Sequence, residues 1–327
     1  MTSLEAYIRA LPKAEVHLHL EGAVERETLS RLAKRHGLPA PPRDLYRYAD
    51  FTGFLKAFKL VCDHLKTPPD YHLVTLRMLE RLRRDGVVYA EVYISAGVML
   101  WKGENFEEMF EGIDAGAQEG LERYGVRVGW VLDATRQFGA DAARQVAELA
   151  ARFRDRGVLG IGIGGDEAQA PPELFREVYA YARAQGLRLT AHAGEAAGPE
   201  SVWGALRELG AERIGHGLTA ARDPALVAHL VATRVPVDIC LTSNLRTGVL
   251  GSLEDHPLRR YFDAGVLVSL STDDPAMFRT DLTREYLLAH QRFGFHRAEL
   301  AQLAANSFRA SFLSEEEKTR YTSAGAK

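Results

Sequence analysis

The stretch EVHLHLEG places His17 and His19 one residue apart in a short apolar run. Alternate side chains of a strand share a face, so the two imidazoles would stand side by side as a pair of nitrogen ligands. Other polar groups follow other apolar runs: His192 and Glu195 in HAGE, His216 in RIGHG, Asp273 and Asp274 in STDDP, and Gly165, Asp166 and Glu167 in GIGGDE. His17, His19, His192 and Asp273 make a borderline-soft nitrogen and oxygen set, which suits one zinc ion with a position left for water. Such an ion lowers the pKa of its water from about 15.7 towards roughly 7. His216 can then take or hold the water's proton and orient the oxygen. Glu195 follows His192 across a flexible Ala-Gly and reaches the same place from the turn. A carboxyl in a partly dry pocket has a raised pKa and can donate a proton near neutrality. Asp274 can face a substrate beside the ligand Asp273, and Gly165, without a Cβ, lets a flat ring approach the backbone.

Each motif also has a bland reading. An HxH pair alone is more often incidental than metal-binding, and Asp-Asp-Pro after a strand is often a capped helix start. His216 between two glycines can be a satisfied core histidine. The conjunction argues for chemistry, because every group sits at the end of a different apolar run.

The elements that must position these groups recur along the chain. Apolar, β-branched runs occupy 14–20, 87–95, 126–136, 158–165, 187–194, 213–217, 235–243 and 266–274. Helical patterns separate them, at Ala140–Arg156, Pro172–Gln185, Pro199–Glu208, Pro224–Thr233 and Leu253–Ala264. Eight alternating strand and helix units in 327 residues predict a (β/α)8 TIM barrel, an α/β fold that gathers all C-terminal strand ends on one catalytic face. An open doubly wound sheet would call for a Gly-rich phosphate turn after the first strand, and HLHLEGA is not one. The first crossover is too long for one helix. Leu29–His36, Phe51–Leu65 and Tyr71–Arg84 read as helices, with the connector PAPPRD at 39–44, so a helical insertion over about 25–86 is expected on the catalytic rim. The whole chain, 1–327, is read as one domain, and the tail after Phe312 is expected to fray.

Composition narrows the partners. The chain is 46% hydrophobic and 26% charged, with net charge −3 and both signs interspersed. No basic stripe points to nucleic acid, and no apolar run is long enough to span a bilayer. The opening MTSLEAYIRALPKAEV lacks the apolar core of a signal peptide, and two cysteines make no disulfide framework. A cytoplasmic setting and a small-molecule partner are expected.

In order, LPKAEVHLHLEGA, GIGGDE, HAGE, RIGHG and STDDP resemble the motifs of the adenosine deaminase family, over nearly the whole chain. The resemblance implies a zinc barrel that replaces the 6-amino group of an adenine ring by oxygen and releases ammonia. It implies His17, His19, His192 and Asp273 as metal ligands and Glu195 as proton donor to ring N1. It implies that His216 positions and deprotonates the attacking water, that Asp274 bonds N7 and that Gly165 meets the N3 edge. The cytidine-deaminase type of zinc site needs a PCxxC pair, and this chain has no CxxC.

One position departs from the pattern. Adenosine-specific members usually carry aspartate, which contacts the ribose 5′-hydroxyl, where this chain has Glu21. Related deaminases acting on adenine, or on adenosines altered at the 5′ position, often carry the glutamate. One such substrate is 6-amino-6-deoxyfutalosine, whose 5′ end bears a carboxyphenyl ketone. Ser95, Trp101 and Arg136 are candidates for the 5′ end of the pocket, and the planar fork of Arg136 suits a carboxylate. The equal alternative pairs Arg136 with Asp133 or Glu167. Adenosine is the first expected purine nucleoside substrate, the futalosine derivative second and free adenine third. Another mononuclear metallohydrolase on the same scaffold stays open, as does a purine-binding barrel without catalysis. No lysine ends the fourth, fifth or sixth run to bridge a second metal.

Overall fold

The structure, a computed structural model, describes residues 3–48 and 50–324. Eight parallel strands run in sequence order around one sheet: β1 (Lys13–His19), β2 (Val87–Ile94), β3 (Arg127–Thr135), β4 (Val158–Gly164), β5 (Arg188–Ala193), β6 (Arg213–His216), β7 (Val237–Ile239) and β8 (Val268–Leu270). A parallel bridge between Leu18 and Asp273 brings the segment after β8 back to β1. His19 N–H donates to the Asp273 carbonyl at 2.8 Å, and Asp273 N–H to the His17 carbonyl at 3.0 Å. The expected (β/α)8 barrel is the fold found, and candidate metal ligands make its seam.

Strand β1 shows why the sequence folds this way. Ala14 and Val16 pack in a small apolar cluster with Tyr89, Phe308 and Leu313. His17 and His19 face the lumen beside Tyr93, while a register shift between Glu15 and Leu18 turns the Glu15 carboxylate to the helix side, where it accepts from Thr272 N–H and Oγ1 next to Met78 and Leu82. Below the site the lumen holds a buried ionic layer. Arg213 donates to Glu91 and, at 2.9 Å, to the Val16 carbonyl, and it lies 2.9 Å from Asp238 as an ion pair, so each buried charge faces an opposite one. Tyr93 lies above that layer, with its ring 5.1 Å from His17 and 5.0 Å from His19.

After α1 (Leu4–Ala10) and β1 come α2 (Arg26–Arg35), α3 (Phe51–His64) and α4 (Pro68–Arg84), the expected insertion. Helix α4 opens with a Thr67–Asp70 capping box and proline in its first turn. The same Asp70 carboxylate accepts from Arg35 at 2.5 Å and meets His36 at 2.7 Å, tying α2 to α4. Helix α3 carries Phe54, Leu55, Phe58 and Lys59 to the barrel mouth.

Two expectations need correction. The run at 235–243 is strand only over Val237–Ile239, because a short helix, Leu241–Arg246, starts at once. The tail forms a helix, Glu315–Ala324, where fraying was expected. Ser314 and Glu317 exchange capping bonds, Tyr321 stacks on Phe308 at 4.6 Å, and Arg127 pairs with Glu317 at 2.6 Å. The signal was present as S-x-x-E in SEEE. Among the described residues no helix is long and apolar enough to cross a membrane, and Cys62 and Cys240 are buried free thiols.

Candidate active site

The C-terminal strand ends open into a cavity of about 280 Å³. His19, His192, Glu195, His216, Asp273, Asp274 and Gly165 all line it, and His17 lies fully buried at its base. Two of these residues hold the left-handed backbone that side chains avoid, His216 at φ 65° and Asp273 at φ 64°. Such conformations cost about 1–3 kcal/mol each and concentrate at functional sites.

The four expected ligands converge. His17 Nε2 lies 2.9 Å from His192 Nε2, and His19 Nε2 lies 3.3 Å from it. Asp273 Oδ1 is 3.4 Å from His17 Nε2 and 3.3 Å from His19 Nε2. His192 Nδ1 bonds the Ile163 carbonyl at 3.0 Å, so Nδ1 carries the hydrogen and Nε2 keeps a bare lone pair. Burial holds His17 down at about 4 and His192 well below its ordinary value, leaving both neutral and able to donate lone pairs. Burial opposes a proton on His19 too, yet Asp274 and Asp273 draw it up to about 10. The cluster therefore demands positive charge at its centre. Asp273 meets that demand as an anion: burial pushes its carboxyl up, but His17 and His19 outweigh burial and hold it well below the usual range. Ser243 Oγ donates to its other oxygen at 2.6 Å. These residues fit a zinc ion held by three imidazoles and one carboxylate. His216 also brings a ring nitrogen within reach of His17, His192 and Asp273.

The two remaining carboxyls are set for protons. Burial raises Glu195 to about 7, against the pull of His216, whose Nε2 is 3.6 Å away. Burial and the neighbouring Asp273 charge raise Asp274 well above the carboxylate range, and its Oδ1 is buried without a partner. Two glycines make room for these groups. A Cβ on Gly22 would meet Asp274 Oδ1 at 2.0 Å, and one on Gly215 would meet the His17 ring at 2.7 Å. Gly165 has φ 99°, a conformation open to glycine.

Glu21 and Arg136 stand apart from this group. The Glu21 carboxylate is fully buried beside the cavity, accepting from Ser95 N–H and Oγ, both at 3.1 Å, and it is Ser95 that lines the wall. Arg136 is buried as well. Its guanidinium donates to the Ala170 carbonyl at 2.6 Å and the His192 carbonyl at 2.8 Å, in place of the carboxylate partners weighed from sequence. Strand β3 ends at Thr135, and Arg136 opens a 3-10 turn that aims its side chain at those loops.

Sequence reasoning missed several contributors. Asp133 lines the cavity with an unpartnered buried Oδ1, and burial raises it to about 7. Glu167 accepts the backbone N–H groups of Gly194, Glu195, Ala196 and Ala197, which shapes the HAGE turn. Its place in GIGGDE was visible, its role was not. Trp101, expected at the mouth, is there, and the residues that accompany it were missed: Phe138 stacks on it at 5.5 Å and 9°, and Phe54, Leu55 and Phe58 stand on α3 at the same mouth.

A barrel with this convergent donor set and these buried carboxyls fits a metal-dependent hydrolase. The adenosine deaminase family pattern matches residues 12–324, and the chain belongs to that family. It is 38% identical to an aminodeoxyfutalosine deaminase of Streptomyces avermitilis, over 97% of this chain and 91% of that protein. It superposes on an adenine deaminase from Arthrobacter aurescens with a TM-score of 0.92, at 32% identity over 97% of this chain and 98% of that one. An amidohydrolase from Burkhoderia ambifaria with bound zinc matches at TM-score 0.90 and 26% identity, over 100% of this chain and 93% of that one.

Proposed function

We propose that the chain removes the 6-amino group of an adenine nucleoside bearing an aromatic group at its 5′ position, the 6-amino-6-deoxyfutalosine type. Water adds its oxygen to C6, and its two hydrogens supply N1 and the departing ammonia in net balance. A zinc ion held by His17, His19, His192 and Asp273 would supply a water acidic near neutral pH. Glu195, protonated through burial, gives its proton to N1 as the bond to C6 forms. Asp274 lines the cavity with a carboxyl whose proton is held by burial and the Asp273 charge, and it donates a hydrogen bond to N7. The Gly165 backbone borders the N3 edge. His216 presents Nε2 to the attacking oxygen.

The observation that carries the choice of substrate is the aromatic mouth. The Trp101 and Phe138 rings lie parallel at the rim, and Trp101 is 59% exposed. An aromatic ligand group stacked there would bury apolar area and gain roughly 0.5–1.5 kcal/mol beyond it. Lys59 on the same rim, paired with Asp63 at 2.7 Å, is a cation at the mouth for a substrate carboxylate to compete for. Adenosine and free adenine would leave this rim unused, and the Glu21 carboxylate already holds Ser95. The similarity to an aminodeoxyfutalosine deaminase supports the same reading.

The test is kcat/KM for ammonia release from 6-amino-6-deoxyfutalosine, adenosine, adenine and AMP. The futalosine derivative should lead. A clear lead for adenosine or adenine would overturn the assignment of the 5′ group and leave the deamination intact.

A further inference from the structure

Neutral histidine carries one hydrogen on either of two nitrogens, and the choice decides whether it donates or accepts at a given point. For His216 that choice is set by a chain of buried bonds starting from a backbone amide. Leu258 N–H donates to His256 Nδ1 at 3.1 Å. A backbone amide only donates, so His256 Nδ1 is bare. Burial, with His216 nearby, keeps His256 neutral, down at about 3. The one hydrogen of His256 therefore sits on Nε2, which faces Asn244 Oδ1 at 3.3 Å. That fixes the amide: Oδ1 accepts from His256, and Nδ2 donates to His216 Nδ1 at 2.9 Å. His216 Nδ1 is then an acceptor. Its hydrogen lies on Nε2, the nitrogen 3.6 Å from Glu195 and 3.9 Å from Asp273.

We infer that Asn244 and His256 are positioning residues that hold His216 in its Nε2–H tautomer. Neither lines the cavity, and neither has a role in the proposed reaction. In this tautomer His216 donates a hydrogen bond towards the site. It orients the attacking oxygen so that a lone pair faces C6, and it is not the group that removes the water's proton. This refines the proposed deamination and rests on it for the kinetic arm alone, since the tautomer can be read without substrate.

The test is a long-range proton–nitrogen correlation spectrum of the zinc-loaded full chain labelled with 15N-histidine. The His216 signals are those missing from His216→Gln. The expected result is a protonated Nε2 and a bare Nδ1. Asn244→Leu, similar in size and without a donor, should let both tautomers appear. Its kcat should fall about 10–100-fold, the usual cost of losing a partner that orients a site residue, with KM little changed. His256→Gln keeps an N–H to hold Asn244 Oδ1 and should retain the wild-type tautomer. A wild-type spectrum with hydrogen on Nδ1, or an even mixture, would overturn the inference, and that reading needs no folded Asn244 variant. An Asn244→Leu spectrum identical to wild type would overturn the part given to Asn244. Correct tautomers in a protein that releases no ammonia from any purine would sink the deaminase reading and leave the relay standing.

Discussion

Glu167 and Glu195 come from different strand ends and meet through the main chain: the Glu167 carboxylate accepts the Glu195 N–H at 3.1 Å. The same carboxylate also holds Gly194, Ala196 and Ala197, so one buried side chain shapes the whole turn that presents the proposed proton donor. Glu167→Gln puts an amide N–H against these donors. Each buried N–H left without an acceptor costs roughly 1–3 kcal/mol. Thermal unfolding should show that loss, and kcat should drop equally for every substrate. A variant as stable and active as wild type would remove Glu167 from this role.

Glu195→Gln keeps the shape and loses the acid. Its kcat should fall about 10²–10⁴-fold while a purine still binds, as expected for general acid catalysis. Full activity in this variant would exclude Glu195 as donor to N1.

The pH profile follows from the same carboxyl. Burial raises Glu195 from 4.5 to about 7, and the protonated form is the donor. Activity should therefore be present below and fall as pH rises through about 7, an alkaline limb that Glu195→Gln lacks. The folded state binds this proton more tightly than the unfolded one. Glu195 thus contributes stability fully present below pH 4.5, which declines as pH rises through about 7. Denaturant unfolding of wild type and Glu195→Gln across that window reads the difference.

His17→Ala removes one of the four proposed ligands, and elemental analysis should find most of the zinc lost. Gly215→Ala tests the same centre from behind, since its Cβ would press the His17 ring. Zinc content should fall there as well. Full occupancy in His17→Ala would exclude that ligand.

Trp101→Ala and Phe138→Ala should lower kcat/KM for the aromatic 5′ substrate about 2–10-fold, matching the 0.5–1.5 kcal/mol of a ring pair. Adenine turnover should not change. Equal losses on both would show that the rim acts on the fold and does not read the substrate.

The alternation of strand and helix was legible because each barrel strand is a short apolar run, and the polar ends stood out against it. His17, His19 and Asp273 could be placed together since the fold forces strand ends onto one face. What escaped was side-chain direction. Glu21 follows the strand that bears His17 and His19, and Arg136 follows β3 on the same barrel face, yet one turns to Ser95 and the other to two carbonyls. Sequence position names the face of a barrel, and the turn after each strand decides which way a side chain leaves it. Asn244 and His256 were invisible for a similar reason: their roles depend on partners 28 and 12 residues away along the chain.

The most direct measurement follows zinc and ammonia together. Zinc per chain would be determined by elemental analysis, and ammonia release from the preferred purine followed through chelation and reloading. One zinc per chain, with activity lost on removal and restored by zinc, is the predicted result. Undiminished ammonia release from metal-free protein, or a zinc-loaded chain that releases none from any adenine compound, would contradict the account.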